Sequence, residues 1–274
     1  MSPEPEASEP ATAMYRRRPE TVAVDRGVGP PVVFSHGTLM DWTMFEPQLS
    51  ALSEDYRTIA YNHRARTEHG HAPYDLDDLV DDCEAVLDAA GVDACVLAGM
   101  SMGGFMALRF ALAHPERVNG LVLIDTMAEP HPEDERAEYE GMIEATRSAG
   151  QVDPELAEIV ASLLFGETSL EERRDLVDTW IDRWLTYPGE AVYHEVNSWL
   201  HRPGVADRLD EIDVPTLVLH GAEDAAIDPD NGIALAEHLP DARHEVVPEA
   251  GHSSNLENPA VANVAIRDFL EEVY

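Results

Sequence analysis

The chain has 274 residues, long enough to bury a substantial core, and 44% of them are hydrophobic and set in organised runs, which excludes general disorder. Its 54 acidic residues face only 18 basic ones, every one of them arginine, for a formal charge of −36. A surface of that sign repels nucleic-acid phosphate and anionic lipid, so binding to either through a basic patch is excluded.

In chain order, residues 1–20, MSPEPEASEPATAMYRRRPE, are rich in proline and glutamate and lack the apolar stretch of a signal peptide. They predict a disordered tail. No apolar run approaches the roughly 18 to 20 residues that span a bilayer, and the expected location is cytoplasmic. From residue 21, short β-branched runs alternate with helical patterns, the signature of an α/β fold: a mostly parallel, doubly wound sheet flanked by helices. Strands are predicted at 21–25, 31–36, 56–62, 94–99, 118–125, 215–221 and 243–248, and helices at 75–90, 102–114, 232–239 and 258–272. Asn258 and Pro259 supply a cap and a first turn for the last helix. Residues 128–211 hold no convincing strand but four amphipathic stretches, which predicts a helical cap inserted between core segments 21–127 and 212–274. Cys83 and Cys95 lie in helical and buried-strand patterns and suit small core residues in a reducing compartment.

Gly99-Met100-Ser101-Met102-Gly103 follows an apolar run and opens a helical pattern. So tight a strand-to-helix turn needs small neighbours and lifts the serine oxygen clear of the backbone, while the Met102 N–H, at a helix start, is free to hold an oxyanion. A serine nucleophile needs a base and a group to orient it. Among twelve histidines, His36 and His220 end strands, His114 closes a helix, and His131, His194, His201, His238 and His244 fall in polar patterns expected at the surface. His252 instead occupies a glycine-containing loop after the last strand, at the carboxyl edge of the sheet where loops converge on ligands. Asp224, just beyond the strand that ends at Gly221, is the preferred acid, ahead of its neighbours Glu223 and Asp228, with Asp125 in reserve. Gly37 lets the chain turn back after the second strand and frees the N–H of Thr38 or Leu39 as a second oxyanion donor; Thr38 is preferred.

With SHGTLMDW, GMSMGGFMALRFALAHPERV, LVLHGAEDAAIDP and GHSSNLENP in place, the chain resembles the α/β-hydrolase fold superfamily over about residues 20–273, and within it the small cofactor-free group of enol-lactonases and esterases. The resemblance implies Ser101 as nucleophile, Asp224 as acid, His252 as base, and Thr38 with Met102 as the oxyanion hole. It implies no cofactor and no metal. It further implies an enzyme acting on a small-molecule ester or lactone, with C–C bond hydrolysis or perhydrolysis as alternatives on the same residues and a non-catalytic receptor as a more distant one. Leu39, Trp42, Met100, Phe105, Trp180 and Trp184 are the expected substrate contacts, while the oligomeric state is left open. One stretch departs from the pattern: the loop YNHRARTEHGHAPYD carries Ala65 and Thr67 where relatives often have glycine, and its His63, His69 and His71 read as surface residues rather than metal ligands. The acidic composition resembles that of proteins from salt-accumulating halophiles, because self-repulsion of this density calls for screening.

Overall fold

The computed structural model describes residues 22–274; the acidic tail expected at 1–20 lies outside the described residues. Seven strands form one sheet: β1 (Val22–Arg26), β2 (Pro31–Ser35), β3 (Arg57–Tyr61), β4 (Cys95–Met100), β5 (Val118–Ile124), β6 (Thr216–Gly221) and β7 (Ala242–Val247). Their order across the sheet is β1-β3-β2-β4-β5-β6-β7, and β1 alone runs antiparallel to its neighbour. Both faces are covered, so the inner strands are mostly apolar: Val33, Leu97 and Leu121 feed one core, Val32, Phe34, Ala98 and Val122 the other. Because β3 lies outward of β2 and β4 returns on its other side, the carboxyl ends of β2 and β4 adjoin at the point where the winding reverses, the usual place for a ligand in an open α/β sheet.

The core helices are α1 (Glu46–Leu52), α2 (Leu76–Ala90) and α3 (Met102–Ala113). Asp75 and Asp78 close a reciprocal capping box on α2, and Gly91, at φ 64°, ends it in the left-handed conformation that glycine adopts at least cost. Helix α1, missed in the sequence, is a seven-residue helix, too short for its apolar spacing to stand out.

Between β5 and β6 stand five helices and no strand: α4 (Glu133–Ala149), α5 (Pro154–Leu164), α6 (Glu167–Glu172), α7 (Arg174–Trp184) and α8 (Gly189–Leu200). The long amphipathic stretch 170–185 is broken at Arg173, whose φ of −125° and ψ of 37° leave the helical region, so it yields α6 and α7. After β6 come α9 (Asp230–His238), α10 (Ser254–Glu257) and α11 (Pro259–Val273). Pro259 does open α11, but Asn258 does not cap it: its amide nitrogen donates to the Pro248 carbonyl instead. Cys83 and Cys95 are free and buried, and burial pushes the Cys83 thiol up to about 12, which leaves it an inert core group.

Candidate active site

Strand β4 ends at Met100, α3 begins at Met102, and Ser101 bridges them at φ 51°, ψ −116°, a strained backbone for a residue with a Cβ. The strain is held from three sides. The Ser101 N–H donates to the Ile124 carbonyl at 2.9 Å, and its carbonyl accepts from Gly104 N, Phe105 N and Thr126 Oγ1. A Cβ on Gly99 would strike the Gly103 carbonyl, and one on Gly103 would strike that of Ser35, so both flanking positions must be glycine for the turn to close.

The loop after β7 brings His252 over this turn. Its Nε2 lies 2.9 Å from Ser101 Oγ and its Nδ1 lies 2.8 Å from Asp224 Oδ2, all three residues being buried. A carboxylate only accepts, so Nδ1 carries the proton and Nε2 is left to accept from the serine hydroxyl. Asp224 Oδ1 accepts from the N–H groups of Ala226 and Ile227. Although burial alone opposes ionisation, the His252 and His220 rings hold the Asp224 carboxyl well below the usual range. For His252, burial works against protonation, but the Asp224 charge and hydrogen bond outweigh it and raise the pKa above the ordinary value.

Asp125, the reserve acid, makes no bond to His252. It ties the site together from below, with Oδ1 accepting from Gly221 N at 2.8 Å and Oδ2 from Ser254 N at 2.9 Å, the two loops that carry Asp224 and His252. Burial, with Asp224 nearby, pushes its pKa to about 7. His220, read from the sequence as a mere strand end, lies with Nε2 3.0 Å from both Asp224 Oδ2 and the Ile227 carbonyl. Ligand atoms of Asp125, His220 and Asp224 fall within 4.8 Å of one another. Every oxygen of the two carboxylates already accepts a hydrogen bond, so the cluster is accounted for as a support for the site.

On the opposite side lies the loop after β2. Among the described residues, the backbone N–H groups of Thr38 and Met102 have no hydrogen-bond partner. The N–H of Leu39, the alternative donor, is taken: it donates to Glu195 Oε2 at 3.2 Å. Leu39 stands at φ 62° and its carbonyl accepts from Trp184 Nε1 at 2.9 Å. Two cap helices, α8 through Glu195 and α7 through Trp184, thus hold the strained residue next to Thr38. Arg66 completes the clamp, 2.7 Å from Glu195 Oε2 and donating to the Met40 carbonyl. Sequence reasoning missed Glu195 and Arg66; a glutamate within the apolar stripe of α8 was the available signal.

Above the serine is a largely apolar cavity bounded by the core on one side and α4, α5 and α8 on the other. Thr38, Leu39, Ser101, Phe105 and His252 line it on the core side, and Ile143, Leu156, Val160, Val192 and Val196 are among the cap residues facing them. Four of the expected contacts do not line it. Met100 is buried in the core with Phe34, Ala98 and Ile124. Trp180 is buried under Arg183, whose guanidinium lies 4.6 Å from its ring, and Trp184 packs on Phe165 while holding Leu39. Trp42 opens a short 3-10 turn, its N–H donating to Asn62. Histidines also depart from expectation. His131 and His194 are buried rather than on the surface, and His63 is buried between Ser35 and His36. The unusual loop needs no glycine at 65 or 67: Arg64–Arg66 form a 3-10 turn, Thr67 is extended, and Arg64 is anchored in a buried ion pair with Asp82 at 2.6 Å.

A model of the alpha/beta hydrolase fold matches residues 30–259. The chain belongs to the alpha/beta hydrolase fold family. Relatives of this hydrolase-fold chain include a protein named, provisionally, as a carbamate hydrolase from Variovorax paradoxus, 29% identical over 253 residues, with 89% of this chain and 93% of that protein covered. A 3-oxoadipate enol-lactonase from Acinetobacter baylyi is 27% identical over 242 residues, covering 86% and 87%. The solved structure of a thermophilic esterase from Thermogutta terrifontis superposes with a TM-score of 0.85 at 30% identity, covering 91% of this chain and 92% of that one. Among the described residues no helix is long and apolar enough to cross a membrane.

Proposed function

We propose that this hydrolase-fold chain is a serine hydrolase that cleaves carboxylic esters or lactones through an acyl-enzyme. The observation that carries the reading is the continuous line of hydrogen bonds Ser101–His252–Asp224, at 2.9 and 2.8 Å, opening on an apolar cavity. The names of the enol-lactonase and esterase relatives agree with it. In the first half-reaction Ser101 Oγ attacks the carbonyl carbon as its proton passes to His252 Nε2. Ionised Asp224 stabilises the imidazolium and keeps its Nδ1–H aimed away from the serine. The N–H groups of Thr38 and Met102 receive the oxyanion, each such donor contributing about 3 kcal/mol to the barrier reduction. Collapse breaks the bond to the alkoxide, which takes the proton from His252; in a lactone that oxygen stays tethered to the acyl group. Water then repeats the sequence and restores Ser101.

The aliphatic cap side of the cavity favours acyl chains or rings of apolar character. The formal charge of −36 supports a salt-rich cytoplasm as the working environment, where a Debye length of roughly 3 Å at 1 M screens the self-repulsion.

A fluorophosphonate probe tests the chemistry directly. In molar KCl the folded wild type should be labelled stoichiometrically at Ser101. Labelling should vanish in Ser101→Ala and fall by orders of magnitude in His252→Ala. A folded wild type that resists labelling would remove the basis for the mechanism.

A further inference from the structure

The cavity contains a polar fixture that the acyl-transfer chemistry leaves unused. His131, in the cap just before α4, borders the cavity and is only 4% exposed. Its Nδ1 lies 2.9 Å from Arg202 Nη1. A guanidinium can only donate, so Nδ1 must hold the lone pair and Nε2 the proton. Arg202 cannot turn away: it donates to the carbonyls of Trp199 and Glu129, and its guanidinium carbon sits 3.6 Å from the centre of the Phe105 ring.

Arg202 is unusual in so acidic a chain. It is buried, and among the described residues no carboxylate pairs with it. Burial and the charge of Arg109 press its pKa down to about 9, which leaves it charged at neutral pH. That charge, after burial itself, pushes the His131 pKa down to about 3, so the ring stays neutral throughout the working range. The ring is also wedged among Trp199, Tyr139 and Phe105, with centroids 5.0, 5.6 and 6.1 Å away. The result is an imidazole fixed in orientation, tautomer and charge. Its Nε2–H meets no acceptor among the described residues, although the ring borders the site. In an apolar cavity, such a fixed donor is the feature that sets how a ligand is oriented.

We propose that His131 is the polar anchor of the substrate site, donating its Nε2–H to an oxygen of the acyl group other than the scissile carbonyl. The preferred substrates are then apolar acyl esters or lactones with a second carbonyl oxygen along the chain. This rests on the ester and lactone reading above and narrows it. A neutral acceptor suits the site, because the charge of Arg202 is directed at His131 Nδ1 and at backbone carbonyls rather than at the cavity.

The test uses the full chain in molar KCl and a set of esters with one leaving group and one chain length, in which a keto group replaces each methylene in turn. The wild type should favour one keto position over the unsubstituted parent by about three- to tenfold in kcat/KM, the range of one net hydrogen bond. In His131→Phe that ratio should fall to about one. In His131→Gln, whose amide nitrogen can reach the Nε2 position, part of it should return. Taking the ratio within each variant cancels any general loss of active enzyme. Nitrogen NMR of the wild type gives a readout independent of turnover: His131 should be the neutral Nε2–H tautomer, and Arg202→Met should abolish that preference.

Turnover of the parent ester with no keto preference at any position would overturn the proposal while leaving the hydrolase reading intact. So would a keto preference that survives in His131→Phe, or an Nδ1–H tautomer. A preference for a carboxylate-ended chain that survives in His131→Phe and disappears in Arg202→Met would replace it with an anion site. Failure of the wild type to turn over any ester would remove the hydrolase reading, and this proposal with it.

Discussion

Replacing Trp184 by phenylalanine deletes one hydrogen bond and keeps an aromatic ring against Phe165. The lost partner is the carbonyl of Leu39, a buried residue at φ 62°, one position beyond the proposed oxyanion donor Thr38. Leaving that carbonyl unpaired costs about 1–3 kcal/mol, and the left-handed backbone it helps to hold costs roughly 1–2 kcal/mol by itself. These terms are of similar size, so the loop should relax and carry the Thr38 N–H out of line. Full loss of one oxyanion donor is worth about 10²- to 10³-fold in kcat; with Glu195 still holding the Leu39 N–H, a partial loss of about 10- to 100-fold is expected. KM should change little, since the bond is made mainly in the transition state. Steady-state kinetics on a short-chain ester give both constants, and a melt gives the stability loss, roughly 2–4 °C per kcal/mol in a chain of this size. A lowered melting temperature with kcat intact would refute the coupling of the cap to the oxyanion loop.

The raised pKa of His252 predicts that kcat/KM falls on the acid side with a midpoint above the ordinary 6.5, because the protonated ring cannot accept from Ser101. The same shift gives the stability its sign. The fold binds this proton more tightly than the unfolded chain, so the contribution is full below 6.5 and is lost as pH rises through the folded value. Activity and the His252 contribution to stability should therefore move in opposite directions across that window, and a rate profile with a midpoint at or below 6.5 would contradict the account. Gly103→Ala drives a Cβ into the Ser35 carbonyl and should cost about 3 kcal/mol in urea unfolding; a cost under about 1 kcal/mol would mean the turn is less tightly packed than described. Finally, thermal melts should rise steadily from dilute buffer to molar KCl, and full stability in dilute buffer would show that the acidic surface needs no screening.

Local signals in the sequence pointed to the sheet, the serine turn and the histidine loop, because each arises from neighbouring residues. Buried strands betray themselves as apolar runs, and the glycine at 99 is required by a clash with the Gly103 carbonyl only a few residues on, although the one at 103 answers to the Ser35 carbonyl on a neighbouring strand. His252 and Asp224 could be chosen because the chain order of strands in a parallel sheet fixes which loops share its carboxyl edge. The cap was different. The apolar stripe of α7, Val177, Trp180, Ile181 and Trp184, was legible as a buried face, but periodicity states that a face is covered and not by what. Trp184 accordingly proved to hold Leu39 instead of lining the cavity. The burial of His63 and His131 was equally hidden, since a polar neighbourhood in sequence suggests the surface, and only the partners Ser35, His36 and Arg202, brought from distant segments, make burial affordable. Short-range sterics and hydrophobic pattern wrote the core of this protein into its sequence; the walls of the cavity and the hold on the loop that carries Thr38 depend on how the cap helices rotate and dock, which only long-range packing decides.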